Sequence, residues 1–512
     1  MYLRTQLSTP DTTPFTLLKP RDFPGNVEIE LKPGACVNAL NYSPYQQSVF
    51  CTRDVAKYSN TGNNRIIYFM ILFVWVLWLA LWPFDPVDAQ TNEVSYGVPA
   101  APETPTFMAE LNEPQGVLTL DEALTLALLH NPSLAVVARE IRAQDGSVQQ
   151  AGLIPNPVLG ASAQNVGNSV LQGFDGDSLT LSLSQTILLG GKRAKAIRVA
   201  ELDRELAVWD YESQRMDVLN GVVLSYVEVL RAQQALTLAD DMVTLADRMM
   251  EAVAARVQAG ESSPVDETRA RVSLASVQIE QQRAKRALAA ARNRLASTWG
   301  STSPAYEVAL GQLEAAKPIP SVTLLMDRLT QNPDLARWAS ETVQRQATIE
   351  LAKSRAIPDL TVSLGVQEFL QTGDYALGAG ISIPLPFFNR NQGNIIQANQ
   401  RMNKALDRRR NVEVLVATTL NTVYQQFSAN YAEVTILEKT VLPGAQSAFD
   451  AVEEGYQRGR FNLLDVLDVQ RTLFGAKIQH LGALASYHQS KAKIERLIGE
   501  PLEATRQLRI DK

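Results

Sequence analysis

The sequence predicts a mainly α-helical chain carrying a membrane β-barrel. It is built from two tandem copies of one unit: a helix, two strands, a long helix and a return helix. Three observations predict this. Marker residues recur at offsets of 199 to 203. Four short stretches alternate apolar and polar side chains, the period of a strand. After the first strand pair comes a stretch of 67 residues without proline, with apolar positions at heptad spacing.

The markers define the duplication. Asn131-Pro132-Ser133-Leu134 recurs as Asn332-Pro333-Asp334-Leu335, and Ile154-Pro155 as Ile357-Pro358. Gly260 and Asp266 recur as Gly459 and Asp465, and Gly300 as Gly499. A period this long is not a solenoid repeat but a duplicated supersecondary unit. The units occupy residues 118–300 and 322–500, with a linker at 301–321, a segment at 90–117 and a tail at 501–512.

Within each unit a helix comes first, at 121–152 and about 322–356, with Asp121 as candidate N-cap and proline after each helix end. Strands follow at 158–166 and 179–189, then at 360–369 and 375–385. Leu179, Leu181 and Leu183 alternate with Thr180, Ser182 and Ser184, while Val362, Leu364 and Val366 alternate with Thr361, Ser363 and Gly365. Polar loops such as 173–176 join the strands. The 67 residues from 193 to 259 hold one glycine, Gly221. They make a helix about 100 Å long. Met242 and Met249, or Val243, Met250 and Val257, mark its heptads. A return helix covers 265–299 after a glycine turn. The second unit repeats this with helices at about 392–458 and at 463–498. The first helix and the return helix together match the long one, so they stack end to end beside it.

Composition sets limits on function. The chain has 512 residues, 46% of them hydrophobic, enough for a core or a lipid-facing surface. The net charge of −6 argues against a nucleic-acid partner. Cys36 and Cys51 both precede residue 66, so the body has no thiolate site. His480 and His488 stand eight apart, which is not a chelating spacing, and no metal or cofactor is expected. Phosphate loops, zinc spacings and nucleophile elbows are missing, so the chain is not read as an enzyme.

Residues 66–82 are an unbroken run of 17 apolar side chains. Lys57 and Arg65 precede it, and Val87-Asp88-Ala89 stands ahead of Gln90. This pattern reads as a signal peptide over 65–89, cleaved between Ala89 and Gln90. The run is long, so an uncleaved anchor is the competing reading. Residues 1–64 are polar and aperiodic. They are either a disordered extension or lie upstream of the true start.

Strands of about ten residues suit a tilted bilayer crossing. Four strands cannot close a barrel, and open edges are not tolerated in lipid. Three chains would supply twelve strands, inside the range of outer-membrane barrels.

The order of elements, given twice, resembles the TolC-like outer-membrane efflux proteins. Ile154-Pro155-Asn156-Pro157, Leu189-Gly190-Gly191-Lys192-Arg193 and the stretch from Pro384 through Phe387, Phe388 and Arg390 to Gly393 resemble its CzcC-like branch, associated with cobalt, zinc and cadmium export. The resemblance implies a homotrimeric α-barrel plus a twelve-stranded β-barrel in outer-membrane lipid. It also implies a periplasmic adaptor and an inner-membrane RND-type proton-driven pump. The adaptor-contacting tips fall at Gly260 and Gly459, with Arg256 and Tyr456 just before them. The acidic entrance falls at Asp465 and Asp468, one turn apart on one helix face. Six such carboxylates around an axis would select cations. The plainer readings are helix C-capping for the glycines and helix N-terminal acids for the aspartates. Export of organic solutes and a coiled-coil periplasmic scaffold remain the alternative functions.

Overall fold

The structure is a computed structural model that describes residues 113–164, 177–370 and 372–502. The expected extension, the signal peptide, the Ala89–Gln90 cleavage site and the loop at 173–176 lie outside the described residues. So does most of the 90–117 segment.

The order is β1 (Gly116–Leu118), α1 (Leu120–His130), α2 (Pro132–Ala151), β2 (Val158–Gln164), β3 (Ser178–Ile187), α3 (Lys192–Gln258), α4 (Pro264–Ser297) and β4 (Tyr306–Ala309). Then come α5 (Val322–Arg328), α6 (Pro333–Ser354), β5 (Leu360–Phe369), β6 (Asp374–Ser382), α7 (Gln392–Ile436), α8 (Leu442–Gln457) and α9 (Leu463–Ile498). The duplicated helix–strand–strand–long helix–return helix order is present in both halves.

Several expectations need correction. Each single first helix is two helices. Asn131 and Asn332 leave helical geometry and cap the next helix through their side chains, with proline at its first position. Proline there lacks only an N–H that a helix start leaves unpaired anyway. The N-cap of α1 is Thr119, not Asp121. Thr119 and Glu122 form a reciprocal capping box, with Glu122 N donating to Thr119 Oγ1 at 3.2 Å and Thr119 N to Glu122 Oε2 at 2.9 Å. The second long helix is interrupted by a π-helical turn at Leu437–Val441. Pro443 follows at once; it removes a backbone donor and its ring crowds the carbonyl four residues back.

The end-to-end stacking is present. Asn131 Nδ2 donates to Thr298 O at 2.6 Å, so the end of α4 meets the start of α2. In the second repeat Asn332 Nδ2 donates to Leu497 O at 2.8 Å. α2 packs Leu134, Ala138 and Ile141 against Ala207, Val208 and Tyr211 of α3.

A parallel ribbon of β1 and β4 was not legible in the sequence. It straps the middle of α3, where Tyr226 Oη lies 2.7 Å from Leu310 O and Gln233 bonds both the N–H and the carbonyl of Ala309. Trp299 and Tyr306 are buried beneath it. The matching core of the second repeat centres on Leu420, Phe427 and Tyr487, with the last two rings stacked at 4.9 Å.

The other four strands form one antiparallel sheet in the order β2-β3-β5-β6. Among the described residues, both outer strands have an unpaired edge.

Candidate functional site

Two regions bear on function, the hairpin tips and the sheet. At the first tip Gly260 takes φ +76°, a left-handed conformation that glycine adopts without a Cβ penalty. Glu261 N donates to Arg256 O and Gly260 N to Val257 O, the paired bonds of a Schellman cap. Gly459, at φ +72°, repeats this: Arg460 N donates to Gly455 O and Gly459 N to Tyr456 O. At the second tip the Phe461 ring packs over Gly455, where an added Cβ would collide with it. The C-capping role of both glycines is thus realised.

The structure brings the two tips together. The Arg256 guanidinium sits 5.0 Å from the Tyr456 ring centroid, and its Nη1 donates to Tyr456 O at 3.4 Å. Glu261 pairs with the same arginine at 3.6 Å. Tyr456 is itself part of one buried cluster with Met249, Val253, Ala270, Leu463 and Val466. Gly260, Gly459 and Arg256 therefore share a single composite tip, with the Tyr456 ring buried inside it.

The two aspartates differ. Asp465 closes a capping box with Asn462: its Oδ2 accepts from Asn462 N at 3.0 Å, while its own N–H donates to Asn462 Oδ1 at 3.1 Å. The plainer reading of Asp465 as a helix-terminal acid is therefore realised. Asp468 lies one turn on, exposed and outside the cap. In the first repeat the equivalent positions hold Asp266 and Arg269, paired with each other at 3.5 Å. Between α4 and α9 runs an open groove whose lining includes Val265, Val272, Leu464, Leu467 and Ile478.

The sheet has two chemically opposite faces. The register sets Leu159 opposite Leu183, Leu183 opposite Leu364, and Leu364 opposite Ala379. With Leu181, Val366, Leu377 and Ile381, these side chains share one face. The other face carries Ser and Gly in rows: Gly160, Ser182, Gly365 and Gly378 face one another in turn. At the end nearest the helices Phe387 and Phe388 are exposed, and at the loop end Tyr375 Oη lies 3.0 Å from Glu368 Oε1. An apolar band with aromatic rims and a polar reverse face is the pattern of a membrane barrel around a wet lumen. Where strand passes into helix, Lys192 pairs with Asp359 at 2.6 Å, and Leu189 N donates to the same carboxylate at 3.0 Å. This contact ties the two repeats at the base of the sheet.

Sequence reasoning missed a charged seam along α3. α6 turns Ser340, Glu341 and Gln344 inward. Arg337 bridges Asp210 at 2.6 Å and Glu341 at 2.7 Å, Arg345 holds Glu341 through Nε at 2.9 Å, and Gln344 Nε2 donates to Asp203 at 2.7 Å. Burial pushes the Glu341 carboxyl up, but the bonds and charges of Arg345 and Arg337 outweigh it and hold it below the usual range. Burial raises Asp203. The i, i+4 spacings of Arg337, Glu341 and Arg345 hint at this seam in sequence; the partners on α3, more than a hundred residues away, do not.

Residues 123–301 and 324–500 match the family described as Outer membrane efflux protein. The chain is 38% identical over 402 residues to the cobalt-zinc-cadmium resistance protein CzcC of Cupriavidus metallidurans, covering 78% of this chain and 95% of that one. Among solved structures, CusC aligns with a TM-score of 0.63 at 17% identity, over 78% of this chain and 98% of that one. The outer membrane protein VceC of Vibrio cholerae aligns with a TM-score of 0.61 at 20% identity, over 75% and 96%. These neighbours share the fold of a helical barrel joined to a β-barrel. The chain belongs to the outer membrane efflux protein family, and its place is the outer membrane.

Proposed function

We propose that this chain is the outer-membrane duct of a tripartite efflux system, passing divalent heavy-metal cations outward. Three copies close a twelve-stranded barrel in the outer membrane. Their helix tips meet a periplasmic adaptor linked to an inner-membrane RND-type pump. One observation carries the reading: a four-stranded sheet with an apolar face, a polar face and, among the described residues, two unpaired edges. Such a sheet is stable in lipid only when other copies cover its edges. The likeness to CzcC supports the choice of cargo.

The composite tip around Arg256 and the apolar groove beside it suit a helical adaptor. Asp468 supplies the entrance carboxylate. Asp465 stands behind it, committed to its cap. A ring of carboxylates raises the local cation concentration at the pore mouth.

Single-channel recording in a planar bilayer tests this. Asp468→Asn is expected to lower the preference for cations over anions without loss of the assembled pore, since Asp468 takes no part in the capping box. An unchanged permeability ratio would remove Asp468 from the pathway. Loss of cobalt, zinc and cadmium tolerance in a deletion strain, restored by the chain, is the matching cellular result.

A further inference from the structure

The repeat geometry fixes how a second copy joins the sheet. We infer that β6 pairs antiparallel with β2 of the partner subunit in one register, with Ala379 opposite Ala163 of the partner subunit. The inference rests on the subunit-closed duct proposed above and adds its atomic alignment.

The argument begins with equivalence. α2 ends at Ala151 and α6 at Ser354, and the Ile-Pro pairs that follow keep the same offset of 203. β2 thus maps onto β5, with Leu159 equivalent to Val362 and Ser162 to Gly365. Across the sheet, Gly160 faces Ser182, and Ser182 faces Gly365. One repeat therefore climbs from Gly160 to the equivalent of Ser162. If every repeat in the ring tilts alike, the next makes the same climb. From Gly365 the row passes Gly378 and reaches Gln164 of the partner subunit. Ala379 then faces Ala163 of the partner subunit, and Ile381 faces Ala161 of the partner subunit.

Two independent features agree. The first is steric. Within the chain, Ser182 sits opposite Gly160 and Gly365, and Ser363 sits opposite Gly380. Ser182 Oγ bonds Gly160 O at 3.4 Å, and Ser363 Oγ bonds Gly380 O at 3.3 Å. A Cβ on Gly380 would come within 2.8 Å of Ser363 Oγ, so the pairing is tight. The inferred register continues it: Ser382 meets Gly160 of the partner subunit, and Gly380 meets Ser162 of the partner subunit. Shifting by two residues either way breaks both of these pairs, and only one of the shifts restores a single one, Gly378 opposite Ser162 of the partner subunit. Shifting by one turns the apolar face toward the lumen.

The second is tilt. With about 3.3 Å per residue and about 4.8 Å between strands, this climb over twelve strands gives a tilt of about 35°, at the lower end of the membrane-barrel range. A two-residue slip gives about 19° in one direction, far below that range, and about 46° in the other, at its upper edge, so tilt excludes the first slip and the serine–glycine pairing decides against the second.

Disulfide trapping decides it. The full chain carrying Cys36→Ser and Cys51→Ser is the background. Ala379→Cys with Ala163→Cys is expected to give a covalent trimer under mild oxidation. The slipped pairs, Ala379→Cys with Ala161→Cys and Ile381→Cys with Ala163→Cys, are expected to give at least about tenfold less, because diagonal Cα separations exceed disulfide reach. Native mass spectrometry in detergent reports assembly separately. A trimer in which a slipped pair links best, or in which no pair links, overturns the register and leaves the duct standing. A monomer overturns the duct itself. Single-cysteine variants, which cannot complete a link between matched positions, show whether each change permits folding.

Discussion

The sheet and the helical body bury opposite kinds of residue. In the body, Leu118, Leu134, Leu420 and Ile494 are sealed from solvent. In the sheet the best-covered side chains are Ser178 and Gln185, while Leu159 is 70% exposed and Ile381 74%. No apolar side chain of β2, β3, β5 or β6 belongs to the buried core of the described residues. A water-soluble sheet with that distribution would aggregate. The contrast teaches that one chain is folded for two solvents. The helices bury apolar surface in a protein core, and the strands turn theirs to lipid.

The contrast can be tested from either side. The largest effect is expected in the body. Phe427 is 1% exposed and stacked on Tyr487. Phe427→Ala should cost about 3–5 kcal/mol, through lost burial and the cavity left behind, measured by denaturant unfolding in detergent. Loss of well under 1 kcal/mol would show that the equatorial core is not packed as described. The sheet gives the next effect. Leu377→Arg places a charge on the apolar face and should cost about 2–4 kcal/mol near the bilayer midplane, read as lost membrane insertion. Ser182→Arg, on the opposite face, should insert normally and reduce conductance. Equal behaviour of the two variants would erase the distinction between the faces.

The body is also divided within itself. One flank of α3 meets α2 through leucine, alanine and isoleucine; another meets α6 through arginine and carboxylates. Glu341 has a depressed carboxyl pKa, so its stabilisation is complete above the ordinary carboxylate range. It is lost as the pH falls through the lowered folded value. Asp203, raised by burial, works the other way: its ionised form costs stability, and that cost lifts as pH falls. The smallest effect is therefore a change of slope. Thermal stability from about pH 6 down to about pH 3, the span over which carboxylates titrate, should fall less steeply in Glu341→Gln than in the native chain. An identical slope would take Glu341 out of the acid response.

Much of this contrast was open to sequence reasoning because it is local. Alternation over ten residues reads both faces of a strand, and β5 and α9 have the bounds that periodicity predicts. The glycine turns carried their own caps. What the sequence hid has two physical origins. Some signals had two meanings: Asn-Pro served as a repeat marker while also ending a helix, and Pro443 sat unread in a long periodic stretch. The Asn462 and Asp465 spacing could have revealed the cap that now occupies one of the two entrance aspartates. Other features are contacts across distant segments. Arg256 and Tyr456 are 200 residues apart, and the β1–β4 ribbon joins strands too short to show a period.

Depth-dependent quenching tests the two-solvent claim most directly. A fluorophore is attached to single cysteines, one position at a time, along β3 and β6 in lipid vesicles. Labels at Leu181 and Leu377 should be quenched by brominated lipid and shielded from aqueous iodide. Labels at Ser182 and Gly378 should show the reverse, alternating residue by residue. Iodide reaching both sets equally would mean that the sheet stands in water.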